Sequence, residues 1–410
     1  MRLPCGSSPI LAAACLLLSA AHFPAVAQEQ VVTVGFVGDF SEVSKGYTHN
    51  MFQAFELALD EINAAGGVLG RPVRVVQRDA GNDPQRHAEH VKALADAGDV
   101  VAIFGGASSP CVLQASAVCR DRHLPYLVSI GNSQSVVVEH GHPYVFLFEP
   151  TSAMESKGFS IFLTLMPWHN YAWVGPDYMW GRDVLAHLKH HFAEIGAPIT
   201  WTTEAWHPLG TTDYHDIVRQ ISAGQPEALV IASWGEDARH LFLEADREHL
   251  FDRTAVFAWF TYDITEDMGR WLPTGMWLIS RGPFNYLAEK HPLARRFVDQ
   301  YHQRYDAYPN GFTICCYDSV LAWHAAVRQA GSVDPVAVAA ALRGLEFDSL
   351  RGLRTIRAVD GQMDCPAYFG RIGTVATYPY PVWQAVIEVP AAKIWLSQQE
   401  VLSRRAATPP

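Results

Sequence analysis

The chain has 410 residues, with 42 acidic and 31 basic side chains and a formal net charge of −11. Its composition, 49% hydrophobic and 18% charged, excludes a largely disordered protein, and its length predicts two domains. The acidic balance and the lack of a basic stripe argue against a nucleic-acid partner, because an acidic surface repels phosphate backbones.

The first 27 residues have the pattern of a cleaved secretory signal peptide. Arg2 supplies the positive charge, residues 10–21 form an apolar stretch, and Ala25-Val26-Ala27 is a small-x-small cleavage site before Gln28. The apolar stretch is shorter than the roughly 20 residues that a membrane-spanning helix needs. Removal of the segment takes away Arg2 and no acid, so the net charge changes from −11 to −12. The sequence therefore predicts an exported, periplasmic protein.

The next part of the chain alternates between the two kinds of secondary structure. Strands are predicted at residues 31–37, 73–77, 100–104, 124–129 and 144–148, and helices at 47–65 and 84–97. Asp83 is placed to cap the second of these helices. After a break near Glu149-Pro150, strands are predicted at 171–174, 199–205, 228–232 and 255–259, and helices at 179–195, 213–223 and 237–248. Such alternation is typical of doubly wound parallel α/β sheets, here as two Rossmann-like blocks.

The last third of the chain is predicted to be mostly helical. A strand at 276–280 precedes helices at 293–305, 313–330 and 335–345, and strands follow around Thr355 and at 368–372 and 382–389. Residues 401–410 are predicted to form a loose tail.

Residues 105–116 (GGASSPCVLQAS) lie between a predicted strand and the start of a helix. The loop lacks the lysine of a phosphate-binding G-x-x-x-x-G-K-[ST] motif, and it lacks the G-x-S-x-G pattern of a hydrolase nucleophile. Backbone N–H groups at a helix N-terminus favour an anion, and the Ser108 and Ser109 hydroxyls can donate to a carboxylate. The alternative is that the loop only caps a helix.

Five cysteines remain in the exported chain: Cys111, Cys119, Cys315, Cys316 and Cys365. Because the number is odd, at least one thiol is free or pairs between chains. A straight helix would hold Cys111 and Cys119 ~12 Å apart, beyond disulfide reach, whereas a break in the helix could bring them together. Adjacent Cys315 and Cys316 are typical of buried thiols. Structural zinc is disfavoured, since no C-x-x-C pair is present.

Three histidines, His187, His190 and His191, fall on one predicted helix. The first and last are one turn apart, which is a spacing that metal sites use, but no H-E-x-x-H motif accompanies them. A solvated helix face is the favoured interpretation, and no metal or cofactor is expected.

Residues 61–73 (EINAAGGVLGRPV) closely resemble a signature of the periplasmic solute-binding proteins of branched-chain amino acid ABC transporters, which have the type I periplasmic binding fold. Three further segments resemble the same family: residues 79–84, 317–345 and 352–361.

The resemblance implies two α/β lobes that are joined by three crossovers and close on a ligand like a hinge. The crossovers would lie at Glu149-Pro150, Arg281-Gly282 and Arg351-Gly352. Lobe one would then contain residues 28–149 and 282–351, and lobe two residues 150–281 and 352–400.

The resemblance also implies roles for particular residues. Ser108 and Ser109 would hold the ligand's carboxylate, and Gly131 and Ser133 would contact its carboxylate and amino groups, although an ordinary small-residue turn explains the latter pair equally well. From the second lobe, Tyr178 would cover the ligand, with Trp180 enlarging the aromatic surface, and Trp234 lies where the family makes another contact. The family's amino acid binders place an acidic residue near Asp263, but here Phe-Thr-Tyr, including Tyr262, replaces the usual small residues. That departure favours a flat aromatic carboxylate over an aliphatic amino acid.

The sequence thus predicts the substrate-binding component of an ABC importer, which captures a small carboxylate (an amino acid or an aromatic acid) and delivers it to a membrane permease as a monomer, without catalysis. The alternative is a periplasmic sensor of amides or urea that signals to a partner protein. An exported enzyme is the third class, and no nucleophile–base motif in the sequence supports it.

Overall fold

The computed structural model describes residues 31–41, 44–259, 268–269, 272–273 and 275–408. These residues form two α/β lobes, each built on its own sheet. The first sheet has five parallel strands in the order β2-β1-β3-β4-β5. They are β1 Val32–Gly38, β2 Val73–Asp79, β3 Val100–Gly106, β4 Tyr126–Val128 and β5 Val145–Leu147. The helices between them are α1 Asn50–Ala64, which a short π-helix Lys45–His49 precedes, α2 Pro84–Asp96 and α3 Ser109–Asp121.

The second sheet has seven strands in the order β14-β13-β10-β9-β8-β6-β7. They are β6 Asn170–Pro176, β7 Thr200–His207, β8 Ala228–Ile231, β9 Ala255–Trp259, β10 Trp277–Ser280, β13 Ala367–Gly373 and β14 Val382–Val389. The helices of this lobe are α4 Ser152–Leu163, α5 Met179–Ile195, α6 His215–Ala223 and α7 Gly235–Arg247. Strands β6 to β10 are parallel, and β13 and β14 are antiparallel to their neighbours.

The remaining segment is helical and returns to the first lobe. It contains α8 Phe284–Lys290, α9 Pro292–Tyr305, α10 Gly311–Ala330 and α11 Pro335–Leu342, followed by the hairpin β11 Glu346–Ser349 and β12 Gly352–Thr355. Helix α10 packs along α1, and the Tyr317 hydroxyl donates to Glu61. Packing of Phe104 against Phe55 and Trp323 places the core of this lobe between the sheet and these two helices.

The strand order confirms the prediction of doubly wound sheets. Strands β1 to β5 and β6 to β10 follow the same spatial pattern, in which the first strand lies between the second and the third. Local signals also act as expected, since the Asp83 side chain accepts hydrogen bonds from the backbone N–H groups of Gln85 and Arg86 and starts α2. Helices α4 and α8 had no counterpart in the sequence prediction. For α4 the reason is that residues 152–163 are nearly all buried and show no amphipathic period.

Two boundaries differ from the sequence prediction. The third crossover, which returns the chain to the second sheet, follows Met363 and does not lie at Arg351-Gly352, because a bridge joins Leu147 to Gln362 and the Met363 N–H donates to the Leu147 carbonyl. The predicted loose tail is also wrong.

Residues Gln398–Ala407 form helix α12, which a Ser397–Glu400 capping box starts. Val401 is buried against the first lobe, and Arg405 donates to the carbonyls of Val137 and Val138. These contacts stabilise a terminal segment that has little apolar surface of its own.

Candidate functional site

A cavity with about 550 Å³ of empty volume lies between the two lobes. Its walls are Asp39, Ser44, Tyr47, Asn82, Ala107, Ser108, Ser109, Ile130, Gly131, Asn132, Tyr178, Trp180, Trp234, Arg281 and Phe312. Most of these residues follow the carboxyl end of a parallel strand, which is where doubly wound sheets bind ligands.

The strand order explains why these loops meet. In each sheet the order reverses beside the first strand, so the loops after the first and third strands diverge and leave a crevice between them. Asp39 and Ser108 follow β1 and β3 in the first lobe, and Tyr178 and Trp234 follow β6 and β8 in the second. The place at which the strand order of a sheet reverses is its switch point, and the cavity therefore lies between the switch points of the two sheets.

The loop after β3 is shaped by glycine. Gly106 has a φ of +121°, and a Cβ there would lie 2.3 Å from the Ile130 carbonyl oxygen. Only glycine permits both this backbone conformation and this close approach of the β4 loop. The Ser109 hydroxyl then accepts a hydrogen bond from the Ser133 N–H at 3.1 Å, which ties the two loops together.

Cys111 supports the same loop from behind. The Ser108 hydroxyl donates to the Cys111 sulfur at 3.2 Å, and the thiol donates to Asn82 Oδ1 at 3.4 Å. Burial raises the pKa of the Cys111 thiol, so it stays protonated and unreactive. All five cysteines named above are buried free thiols, which confirms the expectation for Cys315 and Cys316.

Three helices begin at the cavity wall. Ser108, Tyr178 and Trp234 are the N-cap residues of α3, α5 and α7, and none of these three side chains caps its own helix. The first backbone N–H groups of the helices thus lie at the cavity wall. Together with the helix dipoles they favour a negatively charged group there.

Five aromatic rings line the cavity: Tyr47, Tyr178, Trp180, Trp234 and Phe312. Tyr47 of the first lobe meets Trp234 of the second edge to face, with ring centroids 5.2 Å apart, and also contacts Phe312 at 5.6 Å. Tyr178 lies 6.3 Å from Trp180. Because these rings come from both lobes, a flat apolar molecule in the cavity would contact both at once.

Two charged side chains complete the cavity wall. Asp39 is 3% exposed, and it accepts hydrogen bonds from the Ser41 N–H and the Ser44 hydroxyl. Arg281 donates to Glu149 and Glu155, and all three of these side chains are almost fully buried. Burial raises the pKa of Glu149 to about 8 against the attraction of Arg281, so Glu149 keeps its proton at neutral pH.

The structure brings six of the predicted site residues together in the cavity wall: Ser108, Ser109, Gly131, Tyr178, Trp180 and Trp234. Ser133 is buried beside the cavity but is not part of its wall, since its hydroxyl donates to Asp183 of α5 at 2.6 Å. Tyr262 and Asp263 lie outside the described residues.

Sequence reasoning missed several residues of the wall, above all Asp39, Asn82, Arg281, Tyr47 and Phe312. Asp39 and Asn82 follow β1 and β2, so the strand-end rule that indicated Ser108 could have found them. Tyr47 and Phe312 lie near helix starts, and no local signal distinguishes them from core aromatics.

A serine–histidine contact lies next to the cavity but is closed to it. The Ser233 hydroxyl lies 2.8 Å from His207 Nε2, and Asp237 lies 3.8 Å from His207 Nδ1. This resembles a hydrolase triad, but His207 Nδ1 lies 2.9 Å from the Pro208 carbonyl oxygen, and Ser233 is 0% exposed. A nucleophile without access to a ligand does not support catalysis.

The comparisons with known proteins agree with this architecture. Residues 31–376 match the family model described as periplasmic binding protein. A curated relative, Leu/Ile/Val-binding protein homolog 8 of Brucella abortus, is 25% identical, and the alignment covers 72% of this chain and 75% of that protein.

Two solved structures share the fold. A solute-binding protein of an ABC transporter from Rhodopseudomonas palustris, in complex with 3,4-dihydroxybenzoic acid, has a TM-score of 0.79 at 19% identity and covers 88% of this chain and 98% of that one. A leucine-, isoleucine-, valine-, threonine- and alanine-binding protein from Brucella ovis, in its closed conformation, has a TM-score of 0.76 at 18% identity and covers 89% and 97% of the two chains.

No helix among the described residues is long and apolar enough to cross a bilayer. The match of the family model over most of the chain, together with two doubly wound lobes around a shared cavity, is decisive: the chain belongs to the periplasmic binding protein family and has the type I fold.

Proposed function

We propose that this protein captures an aromatic carboxylate in the periplasm and delivers it to an ABC permease. The observation that carries the proposal is the combination, in one interlobe cavity, of five aromatic rings with three helix N-termini. The rings favour a flat apolar body, and the N-termini favour an anionic group at its edge.

The start of α3 is the proposed carboxylate site. There the backbone N–H groups and the Ser109 hydroxyl would donate to the two carboxylate oxygens, and the Ser108 hydroxyl would join them by turning away from Cys111. The ring of the ligand would lie against Tyr178 and Trp234 from the second lobe. Asp39, whose carboxylate belongs to the same wall, would accept from a hydroxyl group on that ring.

The ligands of the structural relatives cover both ligand classes that the sequence left open. The Rhodopseudomonas palustris protein holds 3,4-dihydroxybenzoic acid, and the Brucella ovis protein is named for aliphatic amino acids. Both share the fold of this chain at low identity, so the cavity wall must decide between the classes. Its aromatic rings support the aromatic acid.

The transport role follows from the family and from the predicted signal peptide. Cleavage after Ala27 would release a periplasmic monomer that needs no cofactor and carries out no reaction. Closure of the lobes would exclude water from the ligand and would present the closed form to the permease.

The test is a binding assay with the chain that starts at Gln28. Thermal shift and calorimetry are carried out with benzoate, 4-hydroxybenzoate, 3,4-dihydroxybenzoate, leucine and benzamide. Binding to the folded state raises the melting temperature by mass action, so we expect the benzoates to stabilise the protein and leucine and benzamide to have little effect.

Trp234→Ala tests whether binding uses this cavity. Loss of this partly buried ring of the cavity wall should weaken benzoate binding at least about tenfold, because aromatic anchors in the centre of a site dominate affinity. Trp201→Ala is the matched control, since Trp201 lies on β7 outside the cavity wall and should leave the affinity unchanged. Binding of leucine alone would overturn the aromatic ligand, and binding of benzamide alone would favour the amide sensor.

A further inference from the structure

Helix α5 has a second group of polar side chains that the ligand cavity does not use. His190 and His191 are consecutive, and each lies three or four residues from both His187 and Glu194, so each can meet those two side chains. The sequence favoured a solvated face here. The structure leaves His190 exposed but partly buries His187 and His191.

The donor atoms of three of these residues converge. Glu194 Oε2 lies 2.8 Å from His191 Nδ1, and Glu194 Oε1 lies 3.3 Å from His190 Nε2. One ligand atom from each residue lies within 4.8 Å of the others. A tetrahedral zinc ion with bonds of about 2.0–2.2 Å to nitrogen and oxygen ligands needs donor separations of about 3.3–3.6 Å, so the side chains must rotate to bring the donors closer together.

These residues line a second cavity, separate from the ligand cavity. It has about 620 Å³ of empty volume, and its wall includes all four members of the α5 group together with parts of α4, the third crossover and α12. An ion bound to the three donors would therefore have space for water, and the His187 ring, centred 6.3 Å from that of His191, is the nearest further imidazole of the group.

Other charges in the second cavity are mostly balanced. Arg357 pairs with Asp360 at 3.4 Å, and Arg404 pairs with Glu139 at 3.5 Å. Lys157 is the cation that acts directly on His191 and Glu194, and it would oppose a bound metal ion. Replacement of Lys157 by an uncharged residue should therefore strengthen metal binding, which provides a test.

We propose that His190, His191 and Glu194 form a binding site for a divalent transition metal of the zinc class, with water or His187 as a further ligand. Nitrogen and carboxylate donors in this combination suit Zn²⁺, Ni²⁺ and Cu²⁺ better than Mg²⁺ or Ca²⁺. The site is independent of the aromatic ligand and of the proposed transport role.

The test uses untagged mature protein, so that no added histidines contribute. Equilibrium dialysis with Zn²⁺ should give one bound ion per chain, and Co²⁺ should produce visible absorption bands of a nitrogen-ligated ion. His191→Ala and Glu194→Gln should each weaken Zn²⁺ binding by at least about tenfold, since even outer-shell partners are typically worth that much. Lys157→Gln should strengthen it.

A matched control is available in a second group, His215, Glu244 and Glu248, whose donor atoms are also close together. This group belongs to neither of the two cavities described above. His215→Ala should therefore leave Zn²⁺ binding unchanged. The proposal would be overturned if the protein bound no Zn²⁺, or if His215→Ala abolished binding while His191→Ala left it intact. Circular dichroism shows whether each variant is folded.

Discussion

The hydroxyl of Ser133 donates to Asp183 Oδ2 at 2.6 Å, and this hydrogen bond joins the two lobes. Ser133 follows β4 of the first sheet, whereas Asp183 lies in α5 of the second lobe. Separation of the lobes would break this bond, so under the proposed closure on a ligand it would stabilise the closed form relative to an open one. The sequence placed Ser133 against the ligand, and the structure gives its hydroxyl a different partner.

Ser133→Ala should therefore weaken binding of 4-hydroxybenzoate, although the substitution removes no contact between the protein and the ligand. A net loss of about 1 kcal/mol, or roughly fivefold in affinity, is expected for one hydrogen bond. Calorimetry measures it, and a double-mutant cycle with Asp183→Ala identifies the cause. If Ser133 acts through Asp183, it should have no further effect in the Asp183→Ala background. A full effect there would mean direct contact with the ligand.

Arg351 holds the crossover region together from inside the protein. Its Nε donates to Asp318 at 2.9 Å, and its other nitrogens donate to the carbonyls of Arg281 and Phe148. Both Arg351 and Asp318 are 0% exposed. The guanidinium thus links three segments that are distant in sequence.

Asp318→Asn should destabilise the protein by about 3–5 kcal/mol, because it leaves a buried guanidinium without its counter-charge. Urea denaturation followed by circular dichroism measures the change. Asp121→Asn removes an exposed partner of Arg120 and should cost less than about 0.5 kcal/mol. Equal effects of the two substitutions would contradict the role given to Arg351.

His142 is buried in its neutral form. The Tyr144 N–H donates to Nδ1 at 3.2 Å, so Nε2 carries the proton and donates to the Ser116 hydroxyl at 2.8 Å. Burial, together with the charges of Arg120, Arg343 and Arg405, lowers the pKa of His142 to about 4. A second proton, on Nδ1, would point at the Tyr144 N–H, which is itself a donor, so the neutral ring is favoured.

The pH dependence follows from this shift. An unfolded histidine has a pKa near 6.5. Between pH 6.5 and 4 the unfolded chain therefore binds a proton that the folded protein excludes. The stabilisation is fully present above pH 6.5 and is lost as the pH falls through that window, on the order of 3 kcal/mol in total. His142→Gln should reduce the decline of the unfolding free energy between pH 7 and 4.5. An unchanged decline would mean that other groups cause it.

Gly106 offers a test of the loop geometry. Gly106→Ala should destabilise the protein by more than about 1–2 kcal/mol, because it adds a clash with the Ile130 carbonyl to the cost of a positive φ. Gly98→Ala isolates the φ cost, since Gly98 has a φ of +78° but nothing within 4 Å of the new Cβ. Thermal unfolding of both variants measures the difference, and equal shifts would argue against the clash.

Local signals predicted much of the fold because they act within a few residues. Asp83 starts α2 through its own hydrogen bonds, and the apolar runs of β1 and β8 are buried strands, as their composition indicates. For α12 the Ser397–Glu400 capping box was a local signal that the sequence prediction overlooked, whereas the place of the helix depends on the carbonyls of Val137 and Val138 far along the chain.

The sequence by itself determined the alternation of strands and helices, the family motif at residues 61–73, and the loops at which a ligand site had to form. Tertiary structure alone decided which side chains share the cavity. Tyr47 meets Trp234, and Arg281 meets Glu149 and Glu155, only because the two sheets face each other with their switch points together. Contacts between residues so far apart in sequence leave no periodicity or spacing behind, since they depend on the packing of whole lobes rather than on local backbone preference.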